Sequence, residues 1–143
     1  KGYSDGVMCV VNLERWYQHI ILNINCSFIN NKASESKVIY IYGFTLVSNI
    51  DCKFIQNQVL SETKEIAGAA ITLEEIKSCF NARSQFINNT SAWKAGAIGF
   101  RFYYAKLNLV ITHCLFKSNS AKHAGEQYLA TFQFLFSSRI AYL

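Results

Sequence analysis

The sequence predicts an all-β solenoid of stacked parallel coils, with a repeat of about 30 residues, and three observations carry it. Four segments share the template C/S-x-F-x-x-N: Cys26 to Asn31, Cys52 to Asn57, Ser84 to Asn89 and Cys114 to Asn119. Their phenylalanines, Phe28, Phe54, Phe86 and Phe116, are spaced by 26, 32 and 30 residues. A second motif keeps the same period between them. It is clearest at Gly68-Ala69-Ala70-Ile71 and Ala95-Gly96-Ala97-Ile98, with weaker copies beginning at Asp5, Ser36 and Ala124. The third observation is alternation: apolar and polar residues exchange places every second position before each Phe, the pattern of a strand with one buried face.

The strand leading to each Phe comes first in every repeat. Strict alternation places Leu22, Ile24, Cys26 and Phe28 inside, with Asn23, Asn25 and Ser27 outside. Ile50, Cys52 and Phe54 follow the same pattern, as do Ala82, Ser84 and Phe86, then Val110, Thr112, Cys114 and Phe116. Asn31, Asn57, Asn89 and Asn119 are expected at a turn, in the left-handed conformation that Asn tolerates. Their amides are placed to bond the Asn of the coils above and below. A small residue follows each turn (Ala33, Val59, Ser91, Ala121). A second strand is then expected over Val38 to Tyr42, Ala69 to Leu73, Ala97 to Tyr103 and Gln127 to Phe134. The Gly/Ala pairs would let the backbone approach the adjacent coil. Helical arrays fit poorly, because β-branched and aromatic residues are dense and a 3.6-residue period is missing. A hexapeptide β-helix is disfavoured because its ~18-residue turns come in multiples of six, unlike these variable repeats.

At 143 residues the chain reads as a single β-helix segment, 1–143, of about five coils. Hydrophobic residues make up 51% and charged residues 16%, which excludes a disordered chain. No apolar run reaches the ~18 residues of a membrane-spanning helix. With no initiator Met and no signal-peptide pattern, the chain is expected to be a mature form or part of something longer. The net charge of +5 is spread over scattered lysines, so a solvated surface is expected rather than a nucleic-acid partner.

The five cysteines contain no C-x-x-C pair. Cys26, Cys52 and Cys114 share one repeat position, where the third repeat has Ser84. Stacked coils bring such positions within disulfide reach, so Cys26 and Cys52 could bridge or could stay as inward thiols. No His or carboxylate shares that stack, so no metal and no cofactor is expected.

Catalytic candidates are few. Glycan lyases and hydrolases need clustered carboxylates. The two aspartates, Asp5 and Asp51, fall in different repeats, and the adjacent Glu74 and Glu75 should point apart on a strand. Glu62 and Glu65 lie in the longest insertion. His19, His113 and His123 occupy unrelated positions, and His113 beside Cys114 faces the opposite way, so a Cys-His pair cannot form. No catalytic residue is expected. The aromatics from Phe100 to Tyr104, and Phe132, Phe134 and Phe136, are expected to pack in the core or against another chain, with sugar stacking as the alternative. Three sequons mark Asn25, Asn88 and Asn89 as possible N-glycosylation sites, with Asn88 the best placed.

The alternation of F-x-x-N with G-G-A-I resembles the repeat of the chlamydial polymorphic outer membrane proteins, and of similar repeats in large protist surface proteins. Phe28/Asn31, Phe54/Asn57, Phe86/Asn89 and Phe116/Asn119 match the first motif. Residues 68–71 and 95–98 match the second with one Gly replaced by Ala. The resemblance implies a right-handed parallel β-helix of the pectin-lyase-like kind, in an extracellular or cell-surface protein that is structural or adhesive. It implies no catalytic residue. The alternatives are a carbohydrate-active β-helix enzyme with its site outside this segment, or a scaffold subunit within a large assembly. The expected partners are other protein chains, stacked end to end or laterally, and glycans. The segment is expected to continue into further coils or to form a fibre, because its ends carry no evident cap.

Overall fold

The computed structural model describes residues 8–12, 19–34, 37–60, 69–92, 95–101 and 108–122. Every element among them is a strand, and the strands fall into four coils of four. The first coil holds β1 (Met8–Val11), β2 (Ile20–Ile24), β3 (Ser27–Ile29) and β4 (Lys32–Ala33). The second holds β5 (Ile39–Tyr42), β6 (Leu46–Ile50), β7 (Lys53–Ile55) and β8 (Gln58–Val59). The third holds β9 (Ile71–Glu74), β10 (Ser78–Ala82), β11 (Gln85–Ile87) and β12 (Thr90–Ser91). The fourth holds β13 (Ile98–Arg101), β14 (Asn108–Thr112), β15 (Leu115–Lys117) and β16 (Ser120–Ala121). A fifth coil, expected around Gln127 to Phe134, lies outside the described residues, as do Phe132 and Phe136.

Successive coils pair strand on strand, always parallel, into four sheets: β1-β5-β9-β13, β2-β6-β10-β14, β3-β7-β11-β15 and β4-β8-β12-β16. Register is by motif. Phe28 opposes Phe54, Phe54 opposes Phe86, and Phe86 opposes Phe116. The structure is therefore a parallel, solenoid-like stack whose core runs along the column axis.

Each repeat's expected first strand is in fact two short strands, and a third short strand follows the expected turn; the three are separated by two corners where the backbone turns left-handed. The first corner is Asn25, Asp51, Arg83 and His113, with φ of 53°, 55°, 46° and 53°. The second is Asn30, Gln56, Asn88 and Ser118, at 57°, 54°, 54° and 53°. The left-handed residue is thus the one before the ladder Asn, not the ladder Asn itself. The ladder Asn must aim its side chain inward, and the corner residue one step earlier turns the chain to let it.

These corners also overturn the inward placement of Leu22 and Ile24. At a left-handed corner two consecutive side chains face outward, so alternation counted back from Phe28 changes phase at Asn25. Leu22 and Ile24 are 59% and 58% exposed, while Asn23 is 7% exposed and faces the core. Ile50 follows Ile24, being its register partner on the outer face. In β6 and β10 the inward residues are Val47 and Asn49, then Cys79 and Asn81.

The core is built from repeated positions: Val38, Ile39, Ile41, Val47, Phe54, Val59, Ile71, Leu73, Ile76 and Phe86 are fully buried. The four phenylalanine rings form one stack, with centroids 5.2, 4.7 and 4.7 Å apart and planes within 8° of parallel. Close backbone approach explains two glycines. A Cβ on Gly96 would stand 2.5 Å from the Ser120 nitrogen of the next coil. Gly43 has φ of 80°, and a Cβ there would meet the Asn12 carbonyl oxygen at 2.3 Å. Both positions require the residue without a side chain.

Phe86 has a ring on each face and is fully buried, whereas Phe116 is half-buried and, among the described residues, has a ring on one face. Phe86→Ala should cost about 3–5 kcal/mol in urea unfolding, and Phe116→Ala distinctly less. Equal losses would contradict the stack.

Candidate functional site

The repeated polar side chains point inward and form two ladders. Asn31, Asn57, Asn89 and Asn119 make the first. The Asn57 Nδ2 donates to Asn89 Oδ1 at 3.0 Å and back to the Phe28 carbonyl at 2.9 Å. Its Oδ1 accepts from the Asn31 nitrogen at 3.2 Å and Asn31 Nδ2 at 2.9 Å. Asn89 repeats this arrangement with Asn119 and the Phe54 carbonyl. Asn57 and Asn89 are fully buried, yet every polar group of their side chains is engaged.

A second ladder, which apolar alternation does not reveal, lies along β2, β6 and β10. Asn23 Nδ2 donates to Asn49 Oδ1, and Asn49 Nδ2 to Asn81 Oδ1, both at 2.8 Å. Asn81 Nδ2 ends the series on Cys79 Sγ at 3.3 Å. The signal was present as Asn three residues before each Cys or Ser, with Ile111 replacing it in the last repeat. Alternation counted back from Phe28 places Asn23 outside, which hides the pattern.

Cys26, Cys52 and Cys114 occupy the inward position just after the first corner, and these three and Cys79 are free thiols. Each donates to the carbonyl two residues upstream, and Cys52 Sγ also donates to the Asn23 carbonyl at 3.2 Å. Ser84 fills this position in the third coil. Its Oγ accepts from the Cys52 nitrogen at 3.1 Å and donates to the Ala82 or Asn49 carbonyl. Burial raises the Cys52 and Cys114 thiols. It pushes Cys79 up to about 12, against the weaker opposing hydrogen bond from Asn81. None of these is an activated nucleophile, which would require a lowered value.

The carboxylates are tied up separately. Asp51 accepts a bidentate pair from Arg83, both bonds at 2.7 Å, across the exposed corner row. That contact lowers the Asp51 carboxyl and raises the Arg83 guanidinium. Glu74 lies on the outer side of another sheet, where Oε2 accepts from the Tyr40 hydroxyl at 3.0 Å and faces Lys37 Nζ at 4.0 Å. The same ammonium sits 3.8 Å over the Tyr40 ring. Glu75 is at a left-handed turn with φ of 54°. Asp5, Glu62, Glu65 and His123 lie outside the described residues. His113 is an exposed corner residue whose Nδ1 lies 2.8 Å from the Thr112 hydroxyl.

The sequons separate by geometry. Asn25 and Asn88 are exposed corner residues, whereas Asn89 is fully buried inside its ladder. A glycan on Asn89 would break the ladder, so the folded coil has no room for it. Of the aromatics near Arg101, Phe100 packs on the core, and Phe102, Tyr103 and Tyr104 lie outside the described residues. Among the described residues no group of His, Cys, Asp and Glu could hold a metal, and no helix is long and apolar enough to cross a membrane. No protein-family model, curated protein or solved structure matches the chain.

The Cys79 thiol supplies a pH test. Its folded value is raised from 9.0 to about 12, so the unfolded chain loses this proton first. The associated stability is complete below pH 9 and falls as pH rises towards 12. Urea unfolding at pH 8, 9 and 10 should show a steeper decline in the natural chain than in Cys79→Ala. Identical slopes would refute the buried thiol.

Proposed function

We propose that the chain is a segment of right-handed parallel β-helix that serves as a non-catalytic structural or adhesive module of an extracellular or cell-surface protein. The handedness rests on the strong preference of parallel strand crossovers for the right-handed turn. One observation carries the functional reading: the repeated motif is consumed by coil-to-coil contact. Phe, Asn and Cys/Ser face inward and bind their counterparts, leaving the outer face to variable residues. A repeat under that constraint extends a rigid column and offers its outside, or its ends, to partners.

The carboxylate arrangement supports a non-enzymatic role. A hydrolase needs two acids flanking one bond. Among the described residues, Asp51 follows a strand of one sheet and Glu74 ends a strand of another, and each is held by its own cation. The resemblance to surface-protein repeats supports the location, and the exposed sequons Asn25 and Asn88 suit a secreted chain.

Two assays test this reading. The purified chain should turn over neither polygalacturonate nor chitin, with or without Ca²⁺; turnover lost in Asp51→Asn or Glu74→Gln would make it an enzyme. Passed through a eukaryotic secretory pathway, it should carry glycan at Asn88 or Asn25 and none at Asn89. Glycan on Asn89 in folded material would contradict the buried ladder.

A further inference from the structure

The inward row just after the first corner reads Cys26, Cys52, Ser84 and Cys114 along the column. Ser84 interrupts it, bonding the Cys52 nitrogen from the next coil, so Cys52 has a cysteine beside it only at Cys26. The remaining cysteines are in register with other residue types. Cys9 opposes Tyr40, and Cys79 lies between Val47 and Leu109. Among the described residues, Cys26 and Cys52 are therefore the one pair of cysteines at equivalent positions on adjacent coils.

Their alignment is held on both sides. Ile24 opposes Ile50, Ser27 opposes Lys53, and the Lys53 N–H donates to the Cys26 carbonyl at 2.8 Å. Adjacent parallel strands set equivalent Cα atoms about 4.8 Å apart, inside the roughly 4.4–6.8 Å that a disulfide spans. The Cys52 thiol already crosses to the first coil, donating to the Asn23 carbonyl at 3.2 Å. Burial is the main cause raising that thiol, and the charge of the neighbouring Cys26 thiol pushes the same way. The two differ in access: Cys52 is fully buried, and Cys26 is half-buried.

We propose that Cys26 and Cys52 are a redox-active pair whose disulfide staples the first coil to the second. The oxidant is a small disulfide such as oxidised glutathione. The more accessible Cys26 loses its proton and its sulfur attacks the oxidant. One glutathione leaves as thiolate, and the other stays joined to Cys26. Cys52 then loses its proton and attacks the Cys26 sulfur, releasing the second glutathione as thiolate. Two protein thiols are thereby oxidised, one glutathione disulfide is reduced, and the two protons end on the released thiolates. Proximity carries the second step, because the sulfur under attack is already held on the adjacent coil. The finished bridge closes a loop of 26 residues and so restricts the unfolded chain. It depends on the stack alone and goes beyond the structural or adhesive role; an extracellular setting, as proposed above, would keep it oxidised.

The test uses the whole 143-residue chain, reduced and then treated with oxidised glutathione while folded, with folding checked by circular dichroism. Alkylation and peptide mass spectrometry should find one linkage, Cys26 to Cys52. Cys52→Ser copies the residue that the third coil uses at this position, and its oxidation should stop at Cys26 joined to glutathione. The oxidised natural chain should unfold at a urea concentration about 1 M above that of the reduced chain. Cys52→Ser should show no such difference. Recovery of Cys26 and Cys52 unlinked from the folded natural chain, whether as thiols or as a lasting glutathione adduct, would overturn the pair. So would linkage of Cys26 to Cys9, Cys79 or Cys114, or a urea midpoint that the bond leaves unchanged.

Discussion

The buried carboxamide ladder is the constraint on which the column depends. Asn57 and Asn89 each use one oxygen to accept two bonds from the coil before, and one nitrogen to give to the coil after and to a Phe carbonyl behind. Sliding one coil by a residue would turn these amides outward and leave the carbonyls beneath them unpaired. Each buried unpaired group costs about 1–3 kcal/mol. Register is therefore set by polar satisfaction, and the phenylalanines fall into a stack because they sit three residues before each Asn. Apolar burial supplies the driving force; the amides choose the alignment.

The same constraint explains which parts of the repeat vary in length. From the start of β2 to the end of β4, the first coil runs Ile20 to Ala33, and the equivalent blocks are Leu46 to Val59, Ser78 to Ser91 and Asn108 to Ala121. All four have the same length. Two ladders, the Cys/Ser position and two left-handed corners lie within them, so one added residue would break several contacts together. The variation that spaces the ladder residues by 26, 32 and 30 falls in the connections before and after β1, β5, β9 and β13, where no ladder crosses. Loops free of such bonds tolerate insertion.

The period, the parallel stacking, the phenylalanine stack and the Asn31-Asn57-Asn89-Asn119 ladder were all legible in the sequence, because each depends on one residue type at one position. The corners were not. Asn25, Asp51, Arg83 and His113 share no side-chain chemistry, nor do Asn30, Gln56, Asn88 and Ser118. Their left-handed backbone costs ~1–2 kcal/mol at a residue with a Cβ, and the flanking ladders impose it. Missing the corner carried the alternation through Asn25 in the wrong phase. Leu22 and Ile24 were then assigned to the core in place of Asn23. An amide in a core is chosen against by hydrophobic pattern alone, and only its repetition at Asn49 and Asn81 could have recovered it.

In-register stacking of the repeats is tested most directly by disulfide trapping on the outer face. Lys53 and Gln85 are register partners on adjacent strands, at a separation of about 4.8 Å, within disulfide range. Lys53→Cys combined with Gln85→Cys should close under mild oxidation, with the bond located by peptide mass spectrometry. Lys53→Cys combined with Ile87→Cys places both on the same face but two residues out of register, and should remain open. Preferential closure of the 53–87 pair, or equal closure of both, would contradict the aligned stack.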